Sequence, residues 1–290
     1  MKNAFFTGAC TALVTPFQDG NVNYPMLQKL LLRQMDSGIH SIVICGTTGE
    51  APTLSDDEKI TIFRRAKEFV GSDGQIIAGT GSNCTEHAVF LSKEAQNAGA
   101  DALLVVSPYY NKATEEGLYQ HFKSIAQAVS IPVILYNVPS RTGIDIPVSV
   151  YSRLSEIPNI AGVKEASTDI TKTLQIKSAC PEAFAVWSGN DDMTVPLMSL
   201  GGLGVISVLS NVVPKETQAM AQAALAGDFQ TAAALQTKLY TLIRLLFCEV
   251  NPIPVKAAMK RIGFDCGECR LPLCPMSDRN YRKLMEFLPY

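Results

Sequence analysis

The sequence predicts an α/β fold: a (β/α)8 TIM barrel with a C-terminal helical subdomain. Three observations carry that reading. Eight short apolar runs recur about every 19 to 35 residues, the spacing of βα units. Amphipathic helical patterns fill the gaps between them. The alternative, an open doubly wound sheet, usually shows a glycine fingerprint opening its first helix, and Asp19-Gly20-Asn21 is not one.

The elements follow in order. The apolar runs are Ala9–Val14, Ser41–Cys45, Ile76–Ala78, Ala102–Val106, Val133–Tyr136, Ile160–Val163, Phe184–Trp187 and Gly204–Val208. Between the first two, Tyr24–Asp36 places Met26, Leu27, Leu30, Leu31 and Met35 at helical spacing, with Gly38 as a stop. Ser55-Asp56-Asp57-Glu58 is a capping box that opens a helix to Val70. Glu86–Ala98 ends at Gly99, and Glu115–Val129 ends before Ile131-Pro132. Pro147 fits a first-turn proline, and Thr171–Ala179 and Met193–Leu200 complete the series. Gly201-Gly202-Leu203-Gly204 leads into the last run; barrel phosphate sites follow strands, so it reads as a turn.

The C-terminal third is helical. Pro214–Ala226, Asp228–Glu249, Val255–Ile262 and Asp278–Phe287 are helices, with Gly227, Pro252-Ile253-Pro254 and Gly263 as breaks. This divides the chain into a catalytic barrel over 1–223 and a helical subdomain over 224–290.

Composition narrows the function. The 290 residues are 47% hydrophobic and 18% charged, far from a disordered composition. Lys+Arg 25 against Asp+Glu 27 gives net charge −2, with no basic field to attract nucleic acid. No run approaches the roughly 18 apolar residues of a membrane span. The stretch from Met1 to Cys10 is too short and too broken, by Thr7 and Gly8, for a secretory leader, so a cytoplasmic location is expected. Of eight cysteines, Cys10, Cys45, Cys84, Cys180 and Cys248 are scattered and read as small core hydrophobes. Cys266, Cys269 and Cys274 cluster without a fourth Cys or His nearby, and His40, His87 and His121 are remote; an inert or incidentally oxidisable cluster is expected, and no metal site.

Chemistry belongs at the C-terminal ends of barrel strands. Lys164 follows directly on Ile160–Val163. An amine at the ordinary lysine pKa of about 10.4 is neutral in roughly one molecule in 2,500 at pH 7. Desolvation at a barrel mouth would make it a nucleophile for a carbonyl. The same residue also fits a strand-end lysine paired with Glu165 or Asp169. Tyr136 lies one βα unit earlier, so it ends the neighbouring strand, where a phenol can shuttle protons to the amine or simply fill the core. Gly46-Thr47-Thr48-Gly49 offers backbone N–H groups and two hydroxyls to a small carboxylate, or is a plain glycine turn. Arg141 can hold a substrate carboxylate with its fork, or be a solvated surface residue.

Together these segments resemble the Schiff-base pyruvate lyase and aldolase family over essentially the whole chain. The resemblance rests on Thr15-Pro16-Phe17, Gly46-Thr-Thr-Gly-Glu50 with Glu58, Pro108-Tyr-Tyr-Asn-Lys112, Tyr136-Asn-Val-Pro-Ser-Arg-Thr-Gly143, Gly162-Val-Lys-Glu-Ala166 and Gly204-Val-Ile-Ser207, in family order. It implies that Lys164 forms an imine with pyruvate and that Tyr136 transfers protons over it. It further implies that Thr47 links two tyrosines in a relay and that Tyr110 reaches into a neighbouring subunit's site. Thr48 would bind the pyruvate carboxylate, Arg141 the carboxylate of an aldehyde substrate, and Gly189 and Ile206 would offer backbone contacts. The aldehyde implied is aspartate semialdehyde, on the diaminopimelate route to lysine. No cofactor or metal is implied, and the assembly is a homotetramer or homodimer.

Lysine-sensitive members bind their effector at a dimer interface. The matching positions are Ala51, Pro52, Asp56, Lys59, Asn83, His87 and Tyr109. His87 replaces an acid and Lys59 a histidine, so weak or absent lysine inhibition is expected. Two alternatives stay open. An N-acetylneuraminate or sugar-acid aldolase would share the imine chemistry, although a carboxylate clamp at Ser140-Arg141-Thr142 suits aspartate semialdehyde better than a polyol. A non-catalytic sensor of pyruvate-like ligands would share only the fold. A flavin- or phosphate-binding barrel is a weaker option.

Overall fold

The computed structural model describes residues 4–288. Residues 1–3, where the leader reading begins, lie outside the described residues, as do 289–290. In chain order, β1 (Gly8–Ala12) leads into a hairpin, β2 (Phe17–Gln18) and β3 (Asn21–Val22), then α1 (Tyr24–Asp36). There follow β4 (Ser41–Ile44), α2 (Asp56–Val70), β5 (Gln75–Gly79), α3 (Thr85–Asn97), β6 (Ala102–Val106) and α4 (Glu115–Gln127). Next come β7 (Val133–Asn137), α5 (Pro139–Thr142), α6 (Val148–Leu154), β8 (Ile160–Glu165) and α7 (Thr171–Ala179). The barrel is completed by β9 (Ala185–Ser188), α8 (Thr194–Ser199), β10 (Gly204–Ser207) and α9 (Pro214–Leu225). Beyond it lie α10 (Phe229–Leu246), α11 (Ile253–Arg261) and α12 (Asp278–Phe287).

Eight parallel strands close the barrel in the order β1-β4-β5-β6-β7-β8-β9-β10, with β1 pairing both β4 and β10. All eight expected strands are present, their ends displaced by at most a residue or two. Alternation along each strand sorts two cores. Cys10, Val43, Ile77, Ile134 and Ile206 point inward, where Phe6 stacks on Trp187 with ring centroids 4.7 Å apart. Ile42, Ile76, Leu103 and Leu135 point outward under the helices. The strands approach so closely that a Cβ added at Gly162 would lie 2.0 Å from the Ala185 carbonyl oxygen. At Gly204 it would lie 1.9 Å from the Gly8 oxygen.

Local chemistry sets the helix starts. Ser55 Oγ accepts from Glu58 N–H while the Glu58 carboxylate accepts from Ser55 N–H, completing the capping box. Asn23, Thr114 and Asp228 cap α1, α4 and α10 through their side chains. Asp19-Gly20 opens no helix, as expected, and the structure adds a hairpin there; two proline readings and one boundary need correction. Asp19-Gly20 is the turn of the β2–β3 hairpin, both residues at positive φ, a dipeptide that supplies that backbone readily. Pro147 is the N-cap of α6 and not a first-turn residue. Pro252-Ile253-Pro254 starts α11, because a proline in the first turn lacks an N–H that would have no helical partner anyway. The expected boundary after residue 223 falls within α9, which packs on β1 as the barrel's last helix and runs to Leu225 before Gly227.

The C-terminal part is tied to the barrel mouth by charge. Lys256 of α11 and Glu50 form an ion pair at 2.6 Å with both side chains nearly fully buried. The Arg270 guanidinium grips Glu58 with two bonds of 2.6 and 2.8 Å, and its backbone N–H donates to the second oxygen of Glu50. Both cations lie over the Phe17 ring, Lys256 Nζ 4.2 Å and the Arg270 guanidinium carbon 4.4 Å from its centre. The cysteine cluster lies on the same segment, with Cys266 buried, Cys269 half-buried and Cys274 exposed. Burial pushes the Cys266 and Cys269 thiols up to about 12. Among the described residues, no three His, Cys, Asp or Glu side chains are gathered to hold a metal ion.

One stability prediction follows from the buried ion pair and another from a buried histidine. Lys256→Met leaves the Glu50 carboxylate buried and unpaired and should cost about 3–5 kcal/mol in urea unfolding. Adding Glu50→Gln to it should recover part of that loss. His121 is buried on α4 with Nδ1 bonded to Thr85 Oγ, and desolvation lowers its pKa to about 4. The unfolded chain therefore takes up this proton first as pH falls below about 6.5. Stability is unaffected by this group above that pH; below it the loss grows to about 2 kcal/mol at pH 5 and levels off below about pH 4. His121→Gln should show a correspondingly flatter decline in stability between pH 7 and 5.

Candidate active site

Tyr136 and Lys164 are direct register partners on β7 and β8, and both are buried inside the mouth. Lys164 Nζ lies 4.3 Å from the centre of the Tyr136 ring. Strand β8 runs two residues past its apolar run, so Lys164 is a strand residue, held in place by the ladder. The two carboxylates that the sequence offered as its alternative partners are engaged elsewhere. Glu165 accepts from Asn137 Nδ2, Ser167 N–H and Tyr151 Oη–H, and Asp169 accepts from the N–H and hydroxyl of Thr171.

The other expected residues surround this pair unevenly. Gly189 donates its N–H to the Glu165 carbonyl at 2.7 Å; a Cβ there would meet Lys164 Cε at 3.2 Å and Ala166 Cβ at 2.6 Å. Glycine thus leaves room for the amine and whatever is attached to it. Ile206 is buried inside the barrel and pairs with Cys10. The Gly46–Gly49 turn is fixed from two sides. Thr15 Oγ–H donates to the Gly49 carbonyl at 2.7 Å, and Asn251 Nδ2 donates to Thr48 Oγ at 3.0 Å. Arg141 sits on the four-residue α5, exposed, with Nη2 3.5 Å from the Asn251 carbonyl. Tyr110 is not brought into this chain's own site: it is 92% exposed and holds a left-handed φ of 71°.

A cavity of about 400 Å³ is lined by Thr47, Tyr136 and Arg141 together with Lys59, His87 and Tyr109. Ala51 and Pro52 also line it. Asp56 lies between the two basic residues, 3.0 Å from His87 Nε2 and 3.6 Å from Lys59 Nζ. His87 Nδ1 meets Ser82 Oγ at 3.3 Å. The Asn83 carbonyl accepts from Asn111 Nδ2.

Sequence reasoning gave no role to Asn251 or Asp191, quoted Asn137 only within a motif, and weighed Glu165 only as a partner for Lys164. Asn251 was hidden in a proline-rich break between helices. Asp191 is fully buried, accepting from Ser207 Oγ–H and from the N–H groups of Val208 and Leu209. Burial raises its carboxyl above the usual range, against those hydrogen bonds and the Lys164 charge. Asn137 and Glu165 directly follow Tyr136 and Lys164, so strand alternation turns them to the opposite face. That rule was the signal available for them.

Residues 5–289 match the model of the Dihydrodipicolinate synthetase family. A 4-hydroxy-tetrahydrodipicolinate synthase of Acetivibrio thermocellus is 50% identical over 288 residues, covering 99% of this chain and 98% of the relative. The crystal structure of a dihydrodipicolinate synthase from Aquifex aeolicus superposes with a TM-score of 0.96 at 45% identity, covering 97% of this chain and 96% of that one. A chloride-inhibited dihydrodipicolinate synthase from Acinetobacter baumannii, solved with pyruvate, superposes with a TM-score of 0.94 at 44% identity, covering 97% of each chain.

Proposed function

We propose, from the premise that this chain belongs to the dihydrodipicolinate synthetase family, that it condenses pyruvate with L-aspartate 4-semialdehyde as a 4-hydroxy-tetrahydrodipicolinate synthase. The observation that carries the reading is the buried Tyr136–Lys164 pair on adjacent strands, within a chain half identical to a relative of that name. The aldolase and sensor alternatives draw no support from these relatives.

In this mechanism the Lys164 amine adds to the ketone carbon of pyruvate and water leaves, giving a protonated imine. That cation is the electron sink for loss of a methyl proton, so the enamine forms without a metal or other cofactor. Tyr136, over the amine, carries protons to and from it. The enamine carbon attacks the aldehyde, whose carboxylate Arg141 holds from the rim. The substrate's own amine then closes on the imine carbon and releases Lys164 as the free amine. Thr47 and Thr48 support the reading from the Gly46–Gly49 turn: Thr48 offers its hydroxyl to the pyruvate carboxylate, and Thr47 hands protons along from Tyr136. Gly189 and Ile206 contribute backbone groups.

The assembly we propose is at least a dimer, and by family likeness a tetramer. Tyr110, extended from this chain at a left-handed φ, would complete a partner copy's relay. A cytoplasmic location suits eight unpaired thiols. Among the described residues, no helix is long and apolar enough to cross a membrane.

The part of the 400 Å³ cavity lined by Lys59, His87 and Tyr109 is the proposed effector position, and we infer weak or absent inhibition by lysine. Asp56 already faces Lys59 and His87, so a second ammonium group would enter beside basic side chains with no unengaged acid there to receive it.

Borohydride reduction with pyruvate should add one pyruvate-derived group to Lys164, and Lys164→Ala should abolish the adduct. No adduct on folded wild-type protein would overturn the mechanism. In the coupled assay Arg141→Ala should still be trapped by pyruvate while losing about 10- to 100-fold in kcat/KM for the aldehyde. Lysine at micromolar concentration should leave the steady-state rate unchanged, and half-inhibition in that range would refute the effector reading.

A further inference from the structure

Tyr136 and Lys164 face into the barrel, and their successors face out. Asn137 and Glu165 are register partners one step further along the same two strands. Asn137 Nδ2 spans both oxygens of Glu165 at 3.0 and 3.1 Å. The backbone ladder continues past them through Ala166 N–H to the Asn137 carbonyl and Gly189 N–H to the Glu165 carbonyl. Tyr151 of α6 and the Ser167 N–H complete the shell of the Glu165 carboxylate. Asn137 is likewise filled: Nδ2 also donates to Asp145, itself paired with the buried Lys172, and Oδ1 accepts from Ile146 N–H.

A nearly fully buried carboxylate carries a large desolvation cost that an apolar residue would avoid. What it provides is direction. Four donor contacts from β7, α6 and the turn after β8 add side-chain restraint between the two strand ends to that of the backbone ladder. We propose that Asn137 and Glu165 form a positioning clamp that holds Tyr136 and Lys164 at the separation proton transfer requires. The clamp rests on the imine mechanism proposed above, touches no substrate, and acts only through the two strand ends. Misplacement of a reacting pair by about 1 Å is enough to cost on the order of 100-fold in rate.

The test exchanges the partners. Glu165→Gln sets amide against amide, Asn137→Asp sets carboxylate against carboxylate, and the double variant N137D/E165Q restores one donor facing one acceptor in reverse. Rates are expressed per Lys164 that borohydride and pyruvate trap at completion, so misfolded protein does not count. Each single variant should lose about 10- to 100-fold in kcat and trap more slowly, with the KM for the aldehyde within about twofold of wild type. The double variant should regain about tenfold over Asn137→Asp. A Glu165→Gln enzyme with kcat within about twofold of wild type would overturn the clamp, as would a folded double variant no faster than Asn137→Asp. If Asn137→Asp does not fold, Glu165→Gln alone decides. Failure of the wild type to trap pyruvate would instead remove the imine mechanism, and the clamp with it.

Discussion

The buried ion pair between Glu50 and Lys256 is the contact that fixes the Gly46–Gly49 turn, the proposed substrate side of the site. Glu50 closes the Gly46–Gly49 turn at a left-handed φ of 56°, a backbone that a bulky residue holds only when its surroundings enforce it. Lys256 comes from the helices beyond the barrel, and Arg270 adds a backbone N–H to the same carboxylate. Without those two donors the turn carrying Thr47 and Thr48 would have to hold a desolvated charge unaided. The C-terminal helices are therefore part of the site's construction. Asn251, on the same segment, reaches both Thr48 and Arg141 and so couples the two proposed carboxylate positions.

Strand alternation organises the rest. One face of β7 and β8 offers a phenol and an amine to the barrel interior; the other buries a carboxamide and a carboxylate against α6 and α7. The chemistry proposed for the inner face needs groups that change protonation and bonding. The outer face consists of groups whose hydrogen bonds are all taken. In the proposed mechanism this division would seat the reacting lysine in a rigid frame, because the groups proposed to supply rigidity are not those asked to react.

Much of this was legible in the residues. Parallel barrel strands are buried on both faces, so they read as apolar runs, and all eight runs are strands. Lys164, Tyr136, Thr48 and Arg141 stand out because a charged or hydroxyl group at a strand end is conspicuous. What stayed hidden had physical causes. The hairpin at Phe17–Val22 is too short for a period-2 pattern, although Asp19-Gly20 marks its turn. Asn251 acts across the fold from a segment whose prolines suggested only a break. Glu50, Glu58 and Phe17 were visible as parts of a family pattern, but their partners Lys256 and Arg270 lie some two hundred residues away, beyond any local reading. Glu165 was weighed as a partner for the wrong neighbour, since a linear reading places it beside Lys164 whereas the pleat turns the two apart.

The glycines at 162 and 204 lie where neighbouring backbones nearly touch, with no room for one added carbon. In a collection of functional variants these positions would tolerate as little change as Lys164. A map of mutational tolerance would therefore show two superimposed patterns: one set by what the site must do, the other by how tightly eight strands must curve to close. Only the first would respond to a change of substrate. The second would persist on the same scaffold whatever chemistry its rim carried.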